Sequence, residues 1–403
     1  MSDRPPVTSI DHIDFRAVFS FGSILRAIGS GLRPARLGLA ILTLSLLVGG
    51  GRIWDGLAGG ANASLEFQQN DLVTDVPTDG PFADTVEHLS LQANVMRTAV
   101  LNVDSAGFVT AAIDMGWGTP LRLWRGGQFW FILVYGCWTA MVLALGGGIL
   151  CRMEAVEVAQ EAPPSMSEAI SMVSQRWWAF AVGLLVPFIL AGMLGAVLLV
   201  YGLVLLNIPG VNIIGGILYG LAMLVGLGMT LLVLGGVVAW PLFLPSLAVE
   251  NCDATDAMNR AFAYVIGRPL RWILYVITGM IGLVMGLMLI STIMYFTVDI
   301  TAGVTSIWTF NDAHAAASDM LASNAVGDVS WWSSTTGWCI AFWSSLAQWV
   351  VAGWALTYVM AASTRAYLLL RQAVDEQDPH EIWWPGLIRG TLAPEPPDHS
   401  ESA

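Results

Sequence analysis

Ser246–Trp272 reads "SLAVENCDATDAMNRAFAYVIGRPLRW". On either side of this polar island lie long stretches with no charge at all. Asp253 and Thr255 are both candidates to cap a helix. Ala257, Met258, Ala261, Phe262, Val265 and Ile266 then fall on one helical stripe. Gly267-Arg268-Pro269 ends that helix, because proline disfavours helix in the residue before it and suits the first turn of the next. The island is therefore an amphipathic helix over 253–267 that breaks and turns into a long apolar helix. Arg260, Arg268 and Arg271 are its candidate interfacial anchors at headgroup level.

Working outward, the chain of 403 residues is 56% hydrophobic and only 12% charged. A soluble protein carries about 25% charged residues. Runs long enough to cross a bilayer recur at Ala35–Trp54, Gln128–Cys151, Trp178–Leu206, Ile213–Trp240, Pro269–Val298 and Trp338–Leu370. The expected fold is an all-α membrane protein with about six transmembrane helices.

All seventeen basic residues are arginine, so lysine-nucleophile and Schiff-base chemistry are excluded. The net charge is −13. Arginine gathers in the segment before the first span, in the loops at 152–176 and 250–271, and in the tail, whereas 55–127 and 299–335 are acidic. Arginine near span ends favours the cytoplasmic side. Both termini are thus expected to be cytoplasmic, with Arg122 and Arg125 the mild exceptions. The first span follows a polar segment too long for a cleaved signal and reads as an uncleaved anchor. The organisation expected is a cytoplasmic N-terminal segment over 1–34 with an amphipathic helix, a membrane domain over 35–371, and a cytoplasmic tail over 372–403. An outer cap at 55–127, interfacial helices at 165–176 and 253–267, and an outer loop at 299–335 belong to the membrane domain.

The island's plan recurs. Ser165-Met166-Ser167-Glu168 has the pattern of a capping box, and Ala169, Ile170, Val173 and Trp177 follow as a stripe closed by Arg176. Before the first span, Phe21, Ile24, Leu25, Ile28 and Leu32 form a stripe that ends at Arg33-Pro34. The second, fourth and sixth spans are followed by Ala155-Val156-Glu157, Ala248-Val249-Glu250 and Ala373-Val374-Asp375. These three tripeptides point to three repeats of interfacial helix plus helical hairpin. Such repeats are common in transporters but speak for a fold more than for a function.

The segment Ala248–Trp272, with Glu250 leading a short linker, Ala257, Met258 and Arg260 on the helix and Arg268 in the basic turn, resembles one found in the membrane domain of glycerophosphodiester phosphodiesterases and their bacterial relatives. The likeness covers this one short motif. The soluble catalytic domain of those enzymes has no counterpart in the chain. What the resemblance implies is a bacterial inner-membrane protein.

Chemistry-bearing patterns are scarce. The span centres, with the boundaries given above, hold no Asp, Glu, Arg or His, which argues against ion-coupled transport. Cys137, Cys151, Cys252 and Cys339 show no CxxC spacing and read as small buried hydrophobes. No HExxH, Gly-x-Ser-x-Gly or phosphate-binding loop occurs, and no basic tract suited to nucleic acid. No catalytic, cofactor or metal residue is assigned. The most polar span is the sixth. There Ser345 and Gln348 share a face with Ala341 and Ala352 and form a candidate polar lining, or else hydrogen-bond to neighbouring helices. Gly216/Gly220 and Gly282/Gly286 allow close helix contacts. Pro187 is expected to kink the third span, and Pro241 and Pro245 mark the end of the fourth. In the cap, Val86, Leu89, Ala93, Met96 and Val100 form a stripe. Asp84 and His88 beside it are read as a solvated face rather than a metal pair. In the tail, Trp383 and Trp384 are expected against the membrane interface and the last dozen residues disordered.

The reading that follows is a non-catalytic membrane protein acting through lipid or protein contacts, as a scaffold, assembly factor or sensor. Its expected partners are membrane lipids, other proteins or further copies of itself. The alternative is a transporter or permease for a lipid or neutral solute.

Overall fold

The computed structural model describes residues 22–58, 80–102, 104–162, 165–322, 329–391 and 393. The described chain is all-α. Two single turns, α1 (Gly22–Leu25) and α2 (Ala27–Ser30), precede α3 (Pro34–Ala58). Then come α4 (Pro81–Leu101), α5 (Ser105–Ile113), a π-turn at Asp114–Gly118, and α6 (Thr119–Arg125). The long α7 (Phe129–Gln160) leads to α8 (Met166–Gln175) and α9 (Trp177–Tyr201), which closes in a π-turn at Gly202–Leu206. After it follow α10 (Val211–Glu250), α11 (Ala254–Gly267), α12 (Pro269–Ser306), α13 (Ala313–Leu321) and α14 (Trp331–Asp375). Among the described residues, α3, α7, α9 with its π-turn, α10, α12 and α14 are the six helices long and apolar enough to cross a membrane.

The order of short helix, long helix, long helix is direct in α8, α9 and α10; elsewhere further helices, α4–α6 and α13, stand between the two long ones. Pro34 and Pro269 each open a long helix, where the missing N–H costs nothing. Three residues other than glycine adopt positive φ among the described residues: Glu161, Asn251 and Glu376. Each follows the end of the second, fourth or sixth long helix; Asn251 and Glu376 come directly after their tripeptides, and Glu161 four residues after Glu157. The first short helix departs from its expected stripe. It breaks at Arg26, buries Ile24 and Ala27, and leaves Leu25 and Leu32 exposed; Phe21 lies outside the described residues.

The helices also run past the ends expected from hydropathy. Pro241 and Pro245 do not end the fourth span: α10 passes through both and reaches Glu250. Each proline forfeits one backbone hydrogen bond, but Leu242–Glu250 is wholly buried and its neighbours hold it helical. Likewise α7 continues nine residues beyond Cys151, and α14 five beyond Leu370. Pro187 lies inside α9, and a Cβ at Gly236 would press on its ring.

The chain divides into two compact units. The larger holds the described residues of 1–41 and 145–403. In it α9 and α10 form a hairpin turned by Gly210 at φ 86°, a value that glycine adopts without strain. Its core gathers around Phe243 of α10 and Trp354, Tyr358 and Tyr367 of α14. Trp354 donates to the Ile28 carbonyl at 3.2 Å and Tyr358 to the Gly279 carbonyl at 2.9 Å.

One of the two glycine pairs makes the contact expected of it. A Cβ at Gly282 would strike the Tyr358 hydroxyl and one at Gly286 the Trp354 ring, whereas Gly216 and Gly220 face open space. Gly286→Leu is therefore expected to lower stability by about 1–3 kcal/mol or more through overpacking. Gly216→Leu should be silent. Thermal melting of the two variants in one detergent checks this, and equal melting temperatures would contradict it.

The smaller unit holds the described residues of 42–144. Asp55, near the end of α3, accepts from the N–H groups of Phe82 at 2.9 Å and Ala83 at 3.0 Å and so caps α4 from a distance in sequence. A side chain at Gly50 would collide with Trp138 and one at Gly51 with Phe82. Phe131 and Tyr135 stack at 4.9 Å, and Tyr135 donates to the Leu47 carbonyl at 3.2 Å.

The cap helix expected over 84–102 is present as α4, but its buried face is not the apolar stripe. Phe82, Asp84, His88 and Ala99 are buried while Val86 is exposed; the side chain of Val100 lies outside the described residues. The burial of Asp84 and His88 corrects the solvated-face reading, and His88 is held by the arginine described below.

Candidate functional site

The charged side chains missing from the span centres reappear toward the ends of the long helices: Arg36 and Arg365 lie inside the expected spans, and Glu154, Glu157 and Glu250 in last turns beyond them. Arg36, in the first turn of α3, is 1% exposed. Its guanidinium pairs with Glu154, donates to Glu157 at 2.7 Å and donates to the Met153 carbonyl at 2.9 Å. Glu154 and Glu157 stand three apart and so share one face of α7. Glu154 also accepts from Arg365 Nε at 2.5 Å, and Arg365 reaches back to the Ser23 carbonyl at 3.3 Å. Arg33 closes the set on Glu157 at 2.8 Å. Three guanidinium groups and two carboxylates thus join α1, α3, α7 and α14.

A second network surrounds the island. Glu250, the last residue of α10, accepts from Tyr367 and pairs with Arg260; Arg371 lies 3.9 Å away. Tyr264 donates to Asp375, and its ring lies 5.4 Å from that of Tyr367. The acid of each exit tripeptide therefore does the same work. Glu157, Glu250 and Asp375 each accept from a residue in or just after one of the short helices.

Arg176, at the break between α8 and α9, donates to the Asn251 carbonyl at 2.5 Å and pairs with Asp253. This explains one expectation that fails. Asp253 occupies the N-cap position of α11 without capping it, because its carboxylate serves Arg176. The capping box before α8 does not form either: the Ser165 hydroxyl meets that of Ser167 at 2.8 Å.

The last four carbonyls of a helix have no partner within it. In α10 every one is supplied. Leu247 accepts from Asn251 N–H at 2.9 Å and Ala248 from Arg152 at 3.0 Å. Val249 accepts from Trp383 N–H at 2.8 Å and Glu250 from Gly390 N–H at 3.0 Å. The tail over 376–391 is thus a strap across the end of α10. It buries Ile382, places Trp384 over the Arg152 guanidinium at 5.1 Å, and offers carbonyls to Arg152, Arg260 and Arg371. The cations also oppose the negative end of the helix dipole. Trp383 and Trp384 pack on this network, where the sequence suggested a membrane interface. Residues 394–403, expected to be disordered, lie outside the described residues.

Burial governs the titrating groups of the island. It pushes the Cys252 thiol up to about 12, with the Glu250 charge acting the same way. The Tyr264 hydroxyl is raised by burial and then by its bond to Asp375. For Arg260, burial acts to lower the value, but Glu250 and the neighbouring hydroxyls and thiol leave it raised overall. The guanidinium stays charged.

The anchors of the island divide. Arg260 is half-buried in the network, while Arg268 and Arg271 are exposed beside Leu270, itself 81% exposed. The polar pair of the sixth span does not converge on a neighbour. Ser345 is partly buried and donates to its own helix at the Phe342 carbonyl, 2.8 Å away, and Gln348 is exposed. Cys151 and Cys252 are buried as expected, but Cys137 and Cys339 are exposed.

In the smaller unit a separate polar cluster forms between α4 and α6. Arg122 donates to His88 Nδ1 at 3.0 Å and to Asp114 at 3.0 Å, and Gln92 donates to Asp114 at 2.9 Å. Burial first, and the Arg122 charge second, hold the His88 imidazole below its usual pKa, so it accepts as a neutral ring. Among the described residues no group of three or more His, Cys, Asp or Glu could hold a metal ion. No family model matches the sequence, and neither the curated proteins nor the solved structures give a match.

Proposed function

We propose that this chain is a non-catalytic integral protein of the bacterial inner membrane that acts through lipid and protein contacts, as a scaffold, assembly factor or sensor. The observation that carries the proposal is how the buried charges are used. Glu154, Glu157 and Glu250 each answer to arginines of the same chain, and Arg152 to its backbone carbonyls. Groups committed in this way hold helices together and are not free to bind and release a substrate. The end that carries them, together with the exposed Arg268 and Arg271, faces the cytoplasm and its anionic lipids under the positive-inside rule. Both termini then lie on that side.

The test is thiol accessibility along α14. With the four native cysteines replaced, single cysteines at 341, 345, 348 and 352 are exposed to a membrane-impermeant maleimide. Protection of all four is expected, with positions outside the span still reactive. Labelling of the four would reveal a water-filled path and make the chain a permease for a lipid or neutral solute instead.

A further inference from the structure

Gln348 sits midway along α14 between Trp331 and Arg365. At 1.5 Å per residue it lies about 26 Å from either. The sixth apolar run starts at Trp338, ten residues or about 15 Å before Gln348, and the hydrocarbon layer is about 30 Å thick, so this side chain is near its centre. It is exposed and has no hydrogen-bond partner among the described residues, although its carboxamide carries two donors and an acceptor. A polar group left bare in hydrocarbon is costly, and Ser, Thr, Asn and Gln at such depth pair across helices.

The surroundings specify the partner. Ser345, Gln348, Ala352 and Val359 follow spacings of three, four and seven, the seam of two helices wound left-handedly. Gln348, Ala352 and Val359 are exposed and Ser345 is partly so, and the small side chains flanking Gln348 let a second helix approach closely. Copies of one chain inserted in the same direction are related by a two-fold axis along the membrane normal. That axis makes α14 parallel to its counterpart and sets each residue of the seam opposite itself. A carboxamide is self-complementary: each N–H donates to the other's carbonyl, so two copies satisfy one another with no other ligand. The geometry points to this face of α14 as the interface with a second copy of the chain, held by reciprocal hydrogen bonds between the two Gln348 side chains. The inference rests on the interaction function proposed above and names its partner.

Single cysteines at 345 and 352, with one at 343 on another face as control, are placed in the full chain lacking native cysteines and oxidised in native membranes. Cross-linked dimer is expected at 345 and 352 and not at 343. Adding Gln348→Leu should lower dimer association roughly three- to thirty-fold, as expected for an interhelical hydrogen bond. Because Gln348 is exposed, yield and monomer melting temperature in that variant should not change, which separates lost pairing from lost folding. Absence of cross-links with protection from the impermeant maleimide would overturn the dimer and leave the interaction function standing. Absence of cross-links with labelling at 345 and 352 would overturn both. Cross-links that Gln348→Leu does not weaken would overturn the pairing.

Discussion

Glu154→Gln is expected to destabilise the protein by about 3–5 kcal/mol, because it takes one partner from a buried ion network and leaves the others in place. Glu154 is 0% exposed and holds Arg36 with one oxygen and Arg365 with the other. The amide keeps the shape of the side chain, so packing is preserved while the charge is lost. Arg36 then retains Glu157 and the Met153 carbonyl, and Arg365 retains only the Ser23 carbonyl. Against a total stability on the order of 5–15 kcal/mol, this is a large fraction. Thermal melting in detergent measures it, and a melting temperature within a degree of the parent would refute the structural role. A cycle with Arg36→Met adds a sharper reading. Residues in one ion network couple, so the double variant Arg36→Met/Glu154→Gln should cost less than the two single changes summed.

Ending the chain after Glu376 should be as damaging. That truncation strips Val249 and Glu250 of the N–H groups of Trp383 and Gly390 and removes carbonyls from Arg152 and Arg371. Each buried polar group left unsatisfied costs about 1–3 kcal/mol, so several lost together should abolish most folded protein. Loss of Trp384 from over the Arg152 guanidinium adds to the damage. Ending the chain after Ala393 keeps the whole strap and should be neutral. The comparison is made by membrane yield and by size-exclusion profile. Equal behaviour of the two truncations would show that the strap does not hold the helix ends.

Much of the architecture was legible in the residues. The breaks at Arg33-Pro34 and Gly267-Arg268-Pro269 give helix starts at Pro34 and Pro269, because proline's lost N–H matters least in a first turn. The tripeptides at 155–157, 248–250 and 373–375 mark three exits that share a left-handed residue. The charged network was not legible. The expected second and fourth spans stop at Cys151 and Trp240, so Glu154, Glu157 and Glu250 read as loop residues although each lies on a long helix. The burial of His88 is hidden for a related reason: it looks solvated until Arg122, more than thirty residues away, is brought against it.

What the sequence determined by itself is therefore local. Apolar runs of this length must be helices, because a bilayer offers no partner to an unpaired N–H or carbonyl, and the helix alone pairs them within one segment. What only the tertiary structure decided is which groups meet. The two glycine pairs have the same spacing, yet Gly282 and Gly286 admit Tyr358 and Trp354 while Gly216 and Gly220 admit nothing. Arg36 and Glu154 stand 118 residues apart and touch. Coulomb attraction and close packing act through space, and no pattern along the chain records which residues folding will bring together.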